Sequence, residues 1–426
     1  MSESSAFSFA ELLHFGGFDY AGRQHYVVVV DRAGSKLLSM EFDNNAEGWR
    51  KFLHAVRPFP KVAFTIETSC GSDVERLLEA NLPVYPINPK SAQRYRDRKS
   101  VAGCKSDELD AFSMADALRT DGATWRRLLP MDPLTQELRV LCRDEIHLIE
   151  LRTSLINQLR AALHDYYPVT LEAFSDWVSP SAWDFVITFP TPAELVSAGK
   201  RKWQKFLYAH HMSSQQKLDE RMALFAKAGE FTSPVAAVIS AKSLLATTLA
   251  KQLRALEAQL CQYRSRITAL FRQHPDHDCF GSLPGAGEKL APRLLAELGS
   301  CREVFASAEA LQAYAGTAPV TKKSGRSHVV HIRRACNCYL RAAVHLWADL
   351  SRPFCVWAEA YYQQKRKQGM GHAAALRCLG QRWLNVLWRI WQNRTAYNEA
   401  IHLRNQVQHG SWVVRLLPPS ESPSTT

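Results

Sequence analysis

The sequence predicts a mixed α/β domain followed by a larger, mainly helical region. Three observations carry that expectation. Residues 14–125 alternate strand-like and helix-like runs, the pattern of a sheet covered by helices. Residues 133–166 carry a stripe of leucines at helical spacing. From Leu249 to Leu270, apolar residues recur in alternating steps of four and three.

Taken in order, FDYAGRQHYVVVVD and KLLSMEF, joined by a turn at Ala33-Gly34, read as a β-hairpin. Ala46 to Val56 reads as a helix with Trp49, Phe52, Leu53 and Val56 on one face. KVAFTIE is a buried strand, GSDVERLLEANL a helix and PVYPIN a further strand; DELDAFSMADALR closes the domain as a helix. The stripe of the next helix is Leu134, Leu138, Leu141, Leu148, Leu151, Leu155 and Leu159. The later seam is Leu249, Leu253, Leu256, Leu260, Tyr263, Ile267 and Leu270, which together predict long antiparallel coiled-coil helices. They serve either as a spacer or as an oligomer contact. Prolines 168, 180, 190, 192 and 234 and a run of aromatics from Phe174 to Phe189 mark an inserted helical subdomain. Residues beyond 279 are helical apart from one loop, and Trp347, Trp357, Tyr361, Tyr362, Trp383, Trp388 and Trp391 have the spacing of core residues. The expected divisions are an N-terminal extension (1–13), the α/β domain (14–130), a coiled-coil domain (131–278) with an insertion at about 167–234, a C-terminal domain (279–408) and a disordered tail (409–426).

Composition narrows the function. Lys and Arg outnumber Asp and Glu by 53 to 41 in 426 residues, which favours polyanionic partners. The ten cysteines form no CxxC pair, so they read as reduced thiols and not as zinc ligands. No apolar run reaches the roughly 18 residues of a membrane span, and a cytoplasmic protein, nucleoid-associated when active, is expected.

The candidate site is acidic. Asp19 precedes HYVVVV, Glu67 ends VAFTIE, and Asp107 and Asp110 share KSDELDA, one helical turn apart. Clustered carboxylates raise one another's pKa unless a cation neutralises them, and hard oxygen ligands suit Mg²⁺ or Mn²⁺. Two motifs follow in the C-terminal part. LPGAG before a helix would offer the backbone N–H groups of Gly285 and Gly287 to a phosphate, as helix-hairpin-helix motifs do; the plainer alternative is a glycine turn between packed helices. A short loop then holds Lys322, Lys323, Ser324, Gly325, Arg326 and Ser327, and a helix with Arg333, Arg334 and Arg341 follows. Ser324 between cations is a candidate nucleophile for a phosphodiester; the plainer reading is a solvated loop serine. Lys105, Gly285, Gly287, Lys322, Lys323, Arg326, Arg333, Arg334 and Arg341 are the prospective nucleic-acid contacts.

These motifs, in this order, resemble transposases of the bacterial insertion-sequence "one-ten" family, relatives of pilin-gene invertases and bridge-RNA-guided recombinases. The matching residues are Gly17-Phe18-Asp19, Glu67 with Gly71, Lys105 to Ala111, Pro284 to Gly287, Ala315 to Pro319 and Ser324-Gly325. The resemblance implies an RNase H-like (resolvase-like) domain whose Asp19, Glu67, Asp107 and Asp110 form a DEDD metal tetrad. It implies that Ser324 forms a phosphoserine with DNA, and that dimers pair into tetramers with composite active sites. It also implies a structured noncoding guide RNA that selects target and donor DNA. The chain departs from the family pattern in four places: Gly71 falls one residue late, Ser106 replaces a threonine, Cys336 replaces a glycine, and residues 167–234 are longer. Two rivals are a metal nuclease that resolves branched DNA by water attack and a non-catalytic nucleic-acid-binding scaffold.

Overall fold

The computed structural model describes residues 8–99, 105–212, 214–230, 232–233, 235–325 and 327–417. It divides into two compact units, residues 1–131 and 132–426. Arg326, the first seven residues of the N-terminal extension and residues 418–426 of the tail lie outside the described residues.

The first unit contains β1 (His14–Asp19), β2 (Gln24–Asp31), β3 (Lys36–Asp43), α1 (Ala46–Val56), β4 (Val62–Ile66), α2 (Ser72–Glu79), β5 (Val84–Pro86), α3 (Pro89–Lys99) and α4 (Asp107–Asp121). The five strands form one mixed sheet in the order β3-β2-β1-β4-β5. Strands β1, β2 and β3 pair antiparallel, whereas β4 runs parallel to β1 and β5 parallel to β4. The unbroken valine run of β2 follows from burial on both faces. Val27 and Val29 pack with Phe18, Phe42, Trp49, Phe52 and Phe64 in one core, into which α2 adds Val74 and Leu77. Val28 and Val30 point the other way, towards Phe15, Ala111, Ala115 and Leu118.

Two features differ from the sequence expectation. Asp19 does not lead into the HYVVVV strand but ends a strand of its own, β1, pairing with Tyr26 across the ladder. Gly16 and Gly17 hide that strand because glycine is a poor strand former. Their lack of a side chain is what the packing requires: a Cβ on Gly16 would lie 2.3 Å from the Phe64 ring, and one on Gly17 only 1.8 Å from the Ala111 carbonyl oxygen. Helix α3 was not expected, since PKSAQRYRDRK has almost no apolar face and buries only Ala92.

The second unit opens with α5 (Pro133–Tyr166), followed by α6 (Val169–Ala173), α7 (Pro180–Thr188), α8 (Pro192–Ala209) and α9 (Gln215–Ala226), before α10 (Ala236–Gln273) returns along α5. Cross-links Lys242–Asp165, Arg152–Glu257, Arg264–Glu145 and Arg266–Glu137 run in opposite order along the two helices, so the pair is antiparallel. The leucine stripe of α5 breaks at mid-length, where Leu151 is exposed while Glu145 is buried between Arg264 and Arg293. Helices α6 to α9 close a core with the ends of α5 and α10 around Trp183, Phe185 and Phe225.

The remainder comprises α11 (His277–Gly281), α12 (Gly287–Leu298), α13 (Ala308–Tyr314), β6 (Val320–Ser324), β7 (Ser327–His331), α14 (Cys338–Ser351), α15 (Val356–Lys367), α16 (His372–Asn393) and α17 (Glu399–Gln408). Its core extends into Leu138 and Cys142 of α5 and Ile267, Leu270 and Phe271 of α10, so packing has no break at residue 278. Trp347, Trp357, Tyr361, Tyr362, Trp383 and Trp391 are buried there, with Trp388 partly buried. Residues 409–417, assigned above to a disordered tail, are folded: Trp412 stacks on Tyr361, and Val413 and Leu417 are buried. Two apolar anchors and a tryptophan outweigh the polar tail that follows them.

Candidate active site

Three elements bring the four carboxylates to one end of the sheet. Asp19 is the last residue of β1, Glu67 follows the last residue of β4, and β1 and β4 are parallel neighbours, so both chains leave the sheet at the same end. Asp107 and Asp110 occupy the first turn of α4. That helix starts where it does because the Ser106 hydroxyl accepts from the Leu109 N–H at 3.1 Å, an N-cap that threonine supplies equally well. The replacement of threonine at this position is therefore conservative in chemistry. The helix dipole favours acidic residues in that first turn.

Asp19 feels the other three. Burial, then the charges of Asp110, Asp107 and Glu67, push its carboxyl up from 3.8 to about 6, against a smaller opposing effect of Lys105. Burial and the Asp110 charge also raise Glu67, while Arg96 and Lys105 pull it down. Lys105 is thus electrostatically coupled to the acidic group.

Of three further residues that shape this site, Gly17 belongs to the Gly17-Phe18-Asp19 match, whereas Arg96 and His25 escaped the sequence reading. Gly17 admits the α4 backbone against β1. Arg96 of α3 donates from Nη1 to both oxygens of Asp110, at 2.8 and 3.0 Å. His25, almost fully buried, accepts the Ala21 N–H on Nδ1 at 3.3 Å, which leaves its ring proton on Nε2, facing Asp73 Oδ1 at 3.5 Å. It thus sits between the loop after Asp19 and the first turn of α2, which follows Glu67. The sequence shows the acids, at strand ends and one helical turn apart in KSDELDA, but an arginine within QRYRDRK looks like its solvated neighbours.

The four carboxylates are hard oxygen donors of the kind a divalent cation takes. Among the described residues, no three His, Cys, Asp or Glu side chains are gathered to hold an ion as they stand.

In the second unit, the expected loop around Ser324 is a β-hairpin. β6 and β7 pair from Val320↔His331 to Ser324↔Ser327, with Gly325 in the turn at φ +53°. β-branched Val320, Thr321, Val329 and Val330 favour strands, although the lysines between them suggested a loop. Ser324 is exposed beside the turn, and Lys322, two residues earlier, shares its face. Arg333 and Arg334 precede α14 instead of lying on it, because Asn337 caps that helix by accepting the Leu340 N–H; only Arg341 is helical. Cys336, in the place of the glycine, fits because Gly316 leaves room: a Cβ there would lie 2.6 Å from its sulfur. Two cavities, about 590 and 360 Å³, share Ile332 and Arg341 at the base of the hairpin and are also lined by Arg334, Arg377 and His345. Gly285 is fixed by packing, its absent side chain replaced by the Leu350 carbonyl, and Trp347 donates to the Pro284 carbonyl at 3.0 Å. Gly287, at φ +53° with open space before it, starts α12.

Comparison with known proteins adds two kinds of finding. A transposase family model matches residues 16–168, spanning the four carboxylates. A second, described as "Transposase IS116/IS110/IS902 family", matches residues 277–363, spanning LPGAG and the Ser324 hairpin. The chain is 33% identical over 396 residues to the mini-circle putative transposase for IS117 of Streptomyces coelicolor, covering 90% of this chain and 95% of that protein. It is 30% identical over 303 residues to the insertion element IS110 uncharacterized 43.6 kDa protein of the same organism, covering 69% and 72%. It is 27% identical over 405 residues to the insertion element IS900 uncharacterized 42 kDa protein of Mycobacterium paratuberculosis, covering 91% and 97%. No helix among the described residues is long and apolar enough to cross a membrane.

Proposed function

The chain belongs to the IS116/IS110/IS902 family of insertion-sequence transposases, and from that membership we propose that it cuts and rejoins DNA through Ser324 with help from a metal-binding DEDD tetrad. The observation that carries this reading is the placement of Asp19, Glu67, Asp107 and Asp110 at one end of the sheet, where burial and then the charges of the other three acids raise Asp19 to about 6. The strand order and the mixed pairing of the first unit support an RNase H-like domain.

The four carboxylates would hold Mg²⁺ or Mn²⁺, which when bound offsets their charge and that of the scissile phosphate. The remaining chemistry falls to the chain. The Ser324 oxygen attacks phosphorus, a new O–P bond forms, and the bond from phosphorus to a deoxyribose oxygen breaks. The serine proton passes to a base and the departing oxygen takes up a proton. Lys322, on the same strand face, is placed to offset charge building on the phosphoryl oxygens. A deoxyribose hydroxyl of another strand then attacks the phosphoserine and restores the serine. One phosphodiester replaces another, so no nucleotide hydrolysis is required.

In this proposal a structured noncoding RNA pairs with target and donor DNA, and the protein contacts backbone and shape. Support comes from the groove at the hairpin base, whose Arg334, Arg341 and Arg377 form no ion pair with a described carboxylate. Dimers pairing into tetramers would join the tetrad of one protomer to the serine of another. The test is capture of the covalent protein–DNA adduct on denaturing gels with the cognate RNA present. Wild type should form it; Ser324→Ala should lose both adduct and cleavage, and Asp107→Asn should lose cleavage while still binding nucleic acid. Cleavage that survives Ser324→Ala overturns the covalent step in favour of water attack.

A further inference from the structure

Arg96 occupies a position that the tetrad reading leaves unexplained. Its Nη1 spans both Asp110 oxygens, and the two side chains are only 21% and 12% exposed. Its charge also acts on Glu67. A divalent cation that took both oxygens of Asp110 would have to displace the guanidinium.

The α3–α4 contact does not depend on this pair. Asp116 of α4, buried, accepts from Lys99 of α3 at 2.6 Å. Tyr95 donates to Asp121 at 2.8 Å. These anchors keep α3 in place when Arg96 moves. A long side chain hinged on an anchored helix is suited to exchange partners.

We propose that Arg96 is an exchangeable counter-ion: it holds Asp110 in the metal-free protein, yields that carboxylate to an incoming divalent cation, and then turns to a DNA phosphate. The inference rests on the metal-binding reading of the tetrad. The order of events follows from charge. Before metal binds, the guanidinium limits repulsion among four acids. Once the cation takes over, the displaced guanidinium lies beside a site awaiting phosphate and pairs well with its oxygens. Metal loading would then create a DNA contact, coupling the two ligands.

The test uses the full chain without DNA, titrated with Mn²⁺ and followed by electron paramagnetic resonance or calorimetry. Arg96→Gln should bind Mn²⁺ about tenfold tighter than wild type, the scale of a released charge-assisted hydrogen bond. Arg96→Lys, which keeps charge but fits the two oxygens less closely, should fall between them and serves if the glutamine variant does not fold. Affinity that is unchanged or weaker in both variants overturns the exchange. Absence of Mn²⁺ binding in wild type and variants alike overturns the metal reading itself. A second measurement uses the Ser324→Ala background, where Arg96→Gln should weaken DNA binding several-fold with Mn²⁺ present and leave it unchanged in chelator. Equal weakening in both conditions assigns Arg96 a fixed DNA contact and overturns the hand-over.

Discussion

Gly17→Ala probes the approach of α4 to β1, on which the placement of Asp107 and Asp110 depends. The added methyl would lie 1.8 Å from the Ala111 carbonyl oxygen and 2.7 Å from the Ala115 nitrogen, where ordinary contact begins near 3.4 Å. Both atoms are helix backbone, so no side-chain rotation relieves the clash. Helix α4 must retreat by roughly 1.6 Å, the difference between 3.4 and 1.8 Å, or β1 must buckle. Overpacking a core costs about 1–3 kcal/mol, and a backbone-to-backbone clash belongs at the upper end. A shift beyond about 1 Å at a reacting centre is worth roughly a hundredfold in rate. Gly22→Ala is the control, since a Cβ there meets nothing within 4 Å. Denaturant unfolding should show a loss of about 3 kcal/mol for Gly17→Ala and almost none for Gly22→Ala. As α4 backs away, Asp19 loses both burial and charged neighbours, so its titration by ¹³C NMR should move from about 6 towards 3.8. DNA cleavage should fall with it. If Gly17→Ala matches Gly22→Ala in stability while Asp19 still titrates near 6, the close approach is not what assembles the site.

Further outcomes are equally specific. Asp19 has a raised pKa in the fold, so its favourable contribution exists below pH 3.8 and is lost as pH rises through about 6. At pH 7 in chelator, Asp19→Asn should therefore stabilise the protein by about 1–2 kcal/mol, the shift discounted for partial exposure, and abolish cleavage; thermal unfolding and a cleavage assay check both. Ser106→Ala removes the N-cap of α4 and should cost about 1 kcal/mol in denaturant unfolding, whereas Ser106→Thr should stay within a few tenths. His402 lies against Trp357 and Tyr397, and burial lowers its pKa from 6.5 to about 4. Its contribution is present above pH 6.5 and lost as pH falls towards 4, by about 3 kcal/mol in total. His402→Phe should flatten that part of the pH–stability profile.

The legible parts of the chain were those where burial leaves a period. The helix read at Ala46 to Val56 has those bounds, because Trp49, Phe52 and Val56 sit on one buried face. The acids showed themselves by position, at strand ends and a capped helix start. What stayed hidden obeys other rules. β1 was concealed by the glycines that its neighbours demand, and α3 by charges that report tertiary ion pairs and not an apolar face. The hairpin of Ser324 looked like a loop since its residues beyond half-buried Val320 are exposed and carry no inside-outside alternation. Glu145 interrupted an apparent leucine seam because its partners, Arg264 and Arg293, come from distant sequence.

That interruption has a mechanical corollary. At its two extremities the α5–α10 shaft is gripped by separate cores, and at its waist by Arg152, Glu257, Arg264 and Glu145. Grease tolerates slippage by a turn; alternating charges do not, since sliding one helix would oppose like with like. The waist thus acts as a ratchet tooth that keys the alignment of everything beyond it. Because those pairs are largely shielded from water, salt screens them little, and the key should hold at ionic strengths that dissolve the exposed Arg266–Glu137 pair.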